Sequence, residues 1–190
     1  VAGFDFSTAH ADEFHDWYDL EHLPERRAVP GFGGCQRWLG DDNGSHSIAT
    51  YDLDSVAVLD SPGYRAIAYA NLSPWSKRVT AMCTRLIRFE GAFLGGGEQA
   101  APDNAGGMLI NAMNVEPAAE KEFNAWYDEE HIPALAAVPG TLSARRYRAA
   151  AGRTSTHDYV AVYHLETPDI VRGGAWKEAV ENHVPPQSSS

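Results

Sequence analysis

The alternation of apolar and polar residues along the chain predicts two similar series of secondary-structure elements. In the first half, a helix is expected from about residue 11 to residue 22 or a little beyond, ended by Pro24 or by the Val-Pro-Gly at 29–31. Strands are expected where apolar residues recur at every second position, and a second helix is expected near Tyr64. The predicted strands of this half are residues 1–6, 34–39, 47–53 and 84–93.

One stretch of the first helix occurs twice in the sequence. Residues 13–31, EFHDWYDLEHLPERRAVPG, return at an offset of 109 as residues 122–140, EFNAWYDEEHIPALAAVPG, with twelve of nineteen positions identical. Strands 143–148 and 159–165, and a second helix near Trp176, follow the second copy as their counterparts follow the first. The sequence therefore predicts a tandem duplication, and a fold that uses the segment twice.

The order of elements predicts an α+β fold. Each half reads β-α-β-β-α-β, the order of a ferredoxin-like unit. We expect a first repeat at residues 1–94, a glycine-rich linker at 95–107 and a second repeat at 108–190. The second repeat ends in ENHVPPQSSS, so its final strand is expected to be missing.

Composition and charge narrow the range of partners. The 190 residues carry a net charge of −11, which opposes binding to phosphate backbones and to anionic membrane surfaces. No apolar run approaches the roughly 20 residues of a membrane-spanning helix. The two cysteines are isolated in sequence, which favours a reducing cytoplasm as the location. We therefore expect a small-molecule partner, with neither nucleic acid nor membrane, and either a monomer with an internal pseudo-dimer or a homodimer.

The repeated helix places a carboxylate on its apolar face. At about 100° per residue, Trp17 and Tyr18 flank Phe14, and Glu21 falls about 20° from Phe14. His22 lies at the edge of the same face. A buried carboxylate needs hydrogen-bond partners or a raised pKa. The same arrangement is predicted for the second copy, at Phe123, Trp126, Tyr127, Glu130 and His131.

Two interpretations of these polar groups remain open. In the first, a carboxyl beside a histidine and a phenol moves protons as a general acid or base. In the second, the histidine satisfies late helical carbonyls and the glutamate binds backbone amides of the following loop. The first copy carries His15, Glu25, Arg26 and Arg27 where the second has Asn124 and apolar residues, so we favour the first copy for chemistry.

A metal site receives little support from the sequence. His15, Asp19 and His22 share a helical face, and with His10 they could form a metal-binding set. The second copy has Asn124 in place of His15, so a duplicated metal site is not predicted. Neither a phosphate-binding loop nor a nucleophile elbow nor a zinc-protease motif is present. We expect no metal and no cofactor.

The two helix segments resemble the EthD-like branch of the dimeric α+β barrel superfamily. In that branch the first helix carries aromatic residues and a histidine followed shortly by proline, here Trp17, His22 and Pro24, and again Trp126, His131 and Pro133. The resemblance implies that the two repeats form within one chain the barrel that single-domain relatives form by homodimerisation. It also implies a pocket between the sheet and the helices of each half. The missing final strand departs from the family pattern.

The resemblance and the repeated carboxylate together suggest a function. Relatives include dehydratase-like polyketide enzymes, muconolactone isomerases and small-substrate monooxygenases, many of which need no cofactor. We expect a cofactor-independent lyase, dehydratase or isomerase that acts on a small apolar or aromatic molecule by proton transfer. The expected catalytic residues are Tyr18, Glu21, His22, Tyr127, Glu130 and His131, and the expected substrate-binding residues are Phe14, His15, Trp17 and Trp126. The alternatives are a non-catalytic ligand-binding module, a haem or metal monooxygenase of the same fold, and a structural protein.

Overall fold

The computed structural model describes residues 1–97 and 100–182 of the chain, and these residues form two compact units. Unit 1 contains Val1–Glu90 together with the short segment Gly152–Thr156. Unit 2 contains Gly91–Ala151 and the chain from His157 onward. In the described residues, no helix is both long and apolar enough to cross a bilayer.

Unit 1 begins with a strand and a long helical segment whose middle turn is π-helical. The segment is α1, a π-helical turn at Trp17–His22 and then α2, and it passes through Pro24 to end before the Val-Pro-Gly. The elements of unit 1 are β1 Ala2–Asp5, α1 Ala11–Asp16, α2 Leu23–Arg27, β2 Phe32–Leu39, β3 His46–Leu53, α3 Pro62–Arg65, α4 Pro74–Ala81 and β4 Thr84–Arg88, with 3-10 turns at Val56–Asp60 and Tyr69–Asn71.

The sheet of unit 1 has the strand order β2-β3-β1-β4, and all neighbours are antiparallel. This is the ferredoxin-like order that the element sequence predicts. The helices pack on the sheet through Phe4, Phe14, Trp17, Tyr18 and Ala49, each less than 5% exposed. The helical segment is therefore fixed to the sheet by the aromatic residues at its start.

Unit 2 repeats the strand and helix pattern of unit 1, including the π-helical turn. Its elements are β5 Gly91–Gly95, β6 Gly107–Met113, α5 Glu120–Trp126, a π-helical turn at Tyr127–His131, α6 Ile132–Ala136, β7 Thr141–Ala149, β8 Tyr159–Leu165 and α7 Gly174–Glu181, with a 3-10 turn at Pro168–Arg172. All seven residues of β8 are buried, so this strand is the centre of the second core. The predicted α+β fold is therefore present, and each unit contains a four-stranded antiparallel sheet.

One predicted strand is wrong in a way that affects both sheets. The apolar run at residues 84–93 was expected to be a single strand, but it divides at Phe89 and Glu90 into β4 and β5. β4 pairs with β1 in the first sheet, whereas β5 pairs with β7 and gives the second sheet the order β5-β7-β8-β6. Within the described residues no strand follows α7. The predicted absence of a final strand also concerns residues 183–190, which lie outside the described part of the chain.

The repeated Val-Pro-Gly has a specific backbone role in each unit. Gly31 and Gly140 both have φ of +91°, a region that residues with a Cβ avoid. A Cβ at Gly31 would lie 2.6 Å from Cγ2 of Val58, and a Cβ at Gly140 would lie 2.5 Å from Cδ1 of Ile170. Glycine is therefore required for two reasons, backbone conformation and space, where each helical segment leads into the next strand.

We predict that Gly31→Ala lowers the free energy of unfolding by about 2–4 kcal/mol, since it adds backbone strain to a steric overlap. Gly152 is the matched control, because its φ is +74° but no atom lies within 4 Å of the position that a Cβ would take there. Gly152→Ala should cost only the backbone part, about 1–2 kcal/mol. Urea denaturation of both variants tests this, and equal losses would contradict the steric argument.

Candidate functional site

Both helical segments contain a π-helical turn at the motif that the sequence repeats. The N–H of Leu23 donates to the carbonyl of Tyr18, and the N–H of Ile132 donates to the carbonyl of Tyr127, five residues back in each case. The next residue in each unit is a proline, whose ring would clash with the carbonyl four residues earlier in a regular α-helix. The wider turn accommodates the proline inside the helix. Such turns occur frequently at functional sites.

The π-helical turn changes which side chains face the core. It contains one extra residue, so later positions are displaced by about 100° relative to a continuous α-helix. Arg26 and Leu135 then return to within about 20° of Phe14 and Phe123, and both are buried, at 5% and 1% exposed. Glu130, which the regular spacing places on the buried face, is instead exposed, so that expectation is wrong for the second copy.

Glu21 is partly buried because the N-terminus of α4 covers it. Its Oε1 accepts hydrogen bonds from the hydroxyls of Ser73, at 2.5 Å, and Ser76, at 3.0 Å. The Ser76 hydroxyl also accepts a hydrogen bond of 2.9 Å from the indole N–H of Trp17. Ser73 is the N-cap of α4 and accepts the backbone N–H of Ser76. These contacts account for a partly buried carboxylate and support the structural interpretation of Glu21.

His22 and two tyrosines form a polar group under the helical segment of unit 1. The ring of His22 lies 5.1 Å from that of Tyr18 and 4.5 Å from that of Trp17, between ring centroids. Nδ1 of His22 is shielded from solvent and has no hydrogen-bond partner among the described residues. The hydroxyls of Tyr18 and Tyr51 are also shielded, and they interact with each other. A buried polar atom without a partner is costly, and that cost falls on His22 Nδ1.

Burial and nearby charges set the protonation of this group. Burial, followed by the positive charges of Arg26, Arg88 and Arg85, holds the pKa of His22 well below its ordinary value. Burial raises the pKa of Tyr18, and the opposing influences of Arg37 and Tyr51 are smaller. His22 is therefore neutral at pH 7, and Tyr18 keeps its proton. The site therefore contains a neutral imidazole beside a tyrosine hydroxyl that can donate a hydrogen bond.

The arginines around His22 are partly balanced by acidic side chains. Arg26 donates to Glu25 Oε2 at 2.9 Å and to the carbonyl of Ile67 at 3.4 Å. Arg88 donates through Nε to Glu90 Oε1 at 2.9 Å, and Glu90 is buried. Arg26, Arg88 and Arg85 nevertheless act on His22 as positive charges, within a chain whose net charge is −11.

An arginine on the neighbouring strand braces the π-helical turn in each unit, and the sequence analysis missed it. Arg37 donates to both carboxylate oxygens of Asp19 at 3.1 Å, and its guanidinium lies 5.2 Å from the centre of the Tyr18 ring. Arg146 donates to Asp128 at 2.9 Å and lies 4.6 Å from the Tyr127 ring. Arg37 and Arg146 share the offset of 109 with the helix repeat, and that signal could have identified them.

The corresponding group in unit 2 differs at several positions. Leu135 stands where unit 1 has Arg26, and Ala144 stands where it has Cys35. The Tyr127 hydroxyl donates to Met113 Sδ at 3.1 Å, whereas the hydroxyl of Tyr18 interacts with Tyr51. His131 is buried, with its ring 4.9 Å from that of Tyr127. The two units therefore share a frame but differ in the chemistry beneath it.

The other predicted site residues are either buried in the two cores or engaged in side-chain contacts. Phe14 and Trp17 are fully buried in the first core, and Trp126 is buried in the second. His15 Nδ1 lies 3.0 Å from Arg37 Nη1, so His15 and Asp19 are engaged by one guanidinium. Within the described ranges, no three His, Cys, Asp or Glu side chains converge as metal ligands would.

Unit 2 also contains an open groove of about 680 Å³ between α6, β7 and the chain that follows β5. Its polar end is formed by Asp128 and Arg146, which are paired with each other. None of the ten predicted site residues lines this groove. It therefore adds no support to the predicted site.

Comparison with solved structures supports the fold. An anthrone oxidase-like protein is similar, with a TM-score of 0.65 and 14% identity over 95% of this chain and 82% of that chain. A proposed monooxygenase from Lactobacillus acidophilus NCFM has a TM-score of 0.52 and 15% identity, over 95% of this chain and 84% of that chain. A proposed monooxygenase from Fusobacterium nucleatum subsp. nucleatum ATCC 25586 has a TM-score of 0.53 and 11% identity, over 95% of this chain and 83% of that chain. These likenesses support the predicted α+β fold.

Sequence comparison gives less. The profile of a domain of unknown function, DUF4286, matches residues 108–172, which lie in the second half of the chain. No curated protein matches the chain significantly in sequence. The comparisons therefore inform the fold, and function has to be argued from the side chains.

We predict that Glu21→Ala lowers the free energy of unfolding by about 1–3 kcal/mol, because it leaves the hydroxyls of Ser73 and Ser76 without their acceptor. The matched control is Glu130→Ala, at the exposed equivalent position, which should change stability by less than about 0.5 kcal/mol. Chemical denaturation of the two variants tests the structural role. Equal effects would argue against it.

The lowered pKa of His22 predicts a pH dependence of stability. An unfolded histidine titrates near pH 6.5, so between that value and the lower folded pKa the unfolded chain binds one more proton than the folded chain. Stability should therefore decrease as the pH falls below about 6.5. In His22→Gln this contribution is absent, so the difference in unfolding free energy between wild type and variant should change between about pH 7.5 and about pH 5.5. Parallel pH profiles would contradict the prediction.

Proposed function

We propose that unit 1 is a cofactor-independent acid/base catalyst that transfers a proton on a small apolar or aromatic molecule, with His22 as the base. The observation that carries this proposal is the shielded Nδ1 of His22, which has no hydrogen-bond partner among the described residues and belongs to a neutral imidazole. A neutral imidazole has one nitrogen without a proton, and that nitrogen can act as a general base. Aromatic side chains around it favour an apolar substrate.

The proposed step is a proton transfer from carbon to the imidazole of His22. A weakly acidic C–H bond of the substrate breaks, an N–H bond forms on His22, and the electron pair remains on the substrate as an enolate-like anion. The positive surroundings contributed by Arg26, Arg85 and Arg88 would stabilise that anion. The hydroxyls of Tyr18 and Tyr51 keep their protons and can donate to it. Return of the proton at another atom gives an isomerase, and loss of a leaving group gives a lyase or dehydratase.

We propose one working site in each chain, in unit 1. The support is the contrast between the units: Arg26 is replaced by Leu135, and the Tyr127 hydroxyl is bonded to Met113. In this proposal Tyr127, Glu130 and His131 belong to the scaffold. Glu21 holds α4 in place, and Phe14, Trp17 and Trp126 pack the cores.

The repeated motif also bears on the evolutionary origin of the chain. We infer a tandem duplication within the EthD-like branch, supported by the repeated aromatic, histidine and proline motif and by the π-helical turn in both copies. A small-molecule partner, a cytoplasmic location and a monomeric or homodimeric state remain proposals. The free thiols of Cys35 and Cys83 are compatible with a reducing compartment.

A second candidate is a monooxygenase, favoured by the descriptions of the similar structures. The same proton abstraction would produce a carbanion that molecular oxygen could then oxidise. The described residues do not fit a metal centre, since no three potential ligands converge. This candidate is therefore proposed without a metal and with oxygen as the co-reactant. A binding module without chemistry is the third possibility, and the assay below separates all three.

We predict that His22→Gln lowers catalysed proton exchange by about a hundredfold or more, because general-base catalysis typically contributes 10²–10⁴. The probe is anthrone, whose methylene protons are weakly acidic, in deuterated buffer under argon, with exchange followed by NMR. The matched control is His131→Gln, which should retain the wild-type rate once circular dichroism shows that it is folded. Equal rates in the two variants, or no acceleration by wild type over buffer, would contradict the proposal.

The same samples in air distinguish the reaction types. Oxygen uptake with conversion of anthrone to anthraquinone and water would establish the oxygenase alternative. Exchange without oxygen uptake favours the isomerase or lyase. Binding of the unchanged probe without exchange favours the binding module.

A further inference from the structure

We infer that Arg37 is a positioning residue: its guanidinium fixes the π-helical turn of unit 1 in the geometry that presents Tyr18 and His22 to the substrate. This inference rests on the proposed function. It concerns a residue that lies on β2, outside the helical motif, and that makes no described contact with His22 itself. Its effect on His22 would pass through the backbone of the turn and the ring of Tyr18.

The contacts of Arg37 span the junction at which the helix widens. Nη2 donates to both oxygens of Asp19, inside the π-helical turn, and Nη1 lies 3.0 Å from Nδ1 of His15, in the preceding α-helix. The guanidinium therefore joins the last α-helical turn to the first widened one. Its side chain is 13% exposed, whereas that of Asp19 is 56% exposed, so the arginine is held by the sheet and the aspartate meets it from the helix.

A brace of this kind is needed because the π-helical turn has little intrinsic stability. π-Helical geometry is rare and is generally confined to single turns. Pro24 supplies no N–H, so one backbone hydrogen bond is missing at the same place. A planar guanidinium that faces Asp19 with one nitrogen and His15 with the other adds a fixed direction, because the two nitrogens are held in one plane. Arg37 thus offsets the low stability of the π-helical turn and fixes the orientation of that turn on the sheet.

The link to the site is the ring of Tyr18. Arg37 lies 5.2 Å from the centre of that ring, and the ring in turn packs 5.1 Å from the imidazole of His22. The charges that act most strongly on His22 belong to Arg26, Arg88 and Arg85, with Arg37 not among them. A change in the titration of His22 on replacement of Arg37 would therefore report a movement of the site rather than loss of a neighbouring charge.

Unit 2 supplies a matched control inside the same chain. Arg146 pairs with Asp128 at 2.9 Å and also binds Asn124, the residue equivalent to His15. Its guanidinium lies 4.6 Å from the ring of Tyr127. Replacing Arg146 should remove the same kind of brace, with a comparable loss of stability, from the unit that has no proposed chemistry.

The test compares Arg37→Met with Arg146→Met, and the gentler pair Asp19→Asn with Asp128→Asn in case a buried arginine cannot be removed without unfolding. Stability is measured by urea denaturation, and the imidazole of His22 is followed by long-range ¹H–¹⁵N NMR across pH, with its signals assigned by their absence in His22→Gln. Proton exchange on anthrone provides the kinetic readout. The lysine variant, Arg37→Lys, keeps the charge but lacks the planar pair of nitrogens that face His15 and Asp19.

We expect the changes at Arg37 and Asp19 to shift the His22 titration toward its ordinary value and to lower the exchange rate about tenfold to a hundredfold, as small misplacements of a catalytic group do. Arg37→Lys should be intermediate. The changes at Arg146 and Asp128 should lower stability alone. Equal effects from both units, or an unshifted His22 titration in the folded Arg37 and Asp19 variants, would overturn the inference. If His22→Gln keeps full activity while Arg37→Met still shifts the His22 titration, the positional role stands and the proposed function fails.

Discussion

A proline inside a helix is the constraint on which both units depend. Pro24 and Pro133 cannot donate a hydrogen bond, and in a regular α-helix each ring would clash with the carbonyl four residues before it. Both helical segments respond with a π-helical turn, closed by bonds that span five residues, from Leu23 to Tyr18 and from Ile132 to Tyr127. The extra residue then rotates everything that follows. It brings position 26 or 135 onto the sheet and moves the glutamate of the motif away from the centre of the buried face.

Much of the fold could be predicted from the sequence because its determinants are local. Strand β8, Tyr159–Leu165, is where a nearly continuous run of apolar, β-branched and aromatic residues predicts it, and the Val-Pro-Gly turns follow from the backbone freedom of Gly31 and Gly140. The division between β4 and β5 was not predictable in this way. The run at 84–93 contains apolar residues from end to end, and such a pattern indicates a strand without indicating the sheet to which each part pairs.

The candidate site was less predictable, for a reason that particular residues show. A regular helical spacing predicts that Glu21 lies on the buried face, but the π-helical turn breaks that spacing. The carboxylate accepts hydrogen bonds from Ser73 and Ser76 at the start of α4, which lies outside the repeated segment. The importance of Arg26 and Arg37 depends on tertiary contacts, through Ile67 in one case and Asp19 in the other. Only the shared offset of Arg37 and Arg146 was visible in the sequence.

The two units show what the shared frame requires and what it leaves free. Each has the turn, the arginine brace and the tyrosine beneath it, because these hold the helical segment on its sheet. Beneath that frame, Leu135 satisfies packing in unit 2 with no polar group to compensate. Unit 1 instead buries Arg26 at this position, and Nδ1 of the neighbouring His22 has no hydrogen-bond partner among the described residues, which lowers stability in isolation. A ligand that forms a hydrogen bond with this nitrogen and tolerates a positive environment would remove that penalty, and this is why unit 1 is the place to look for chemistry.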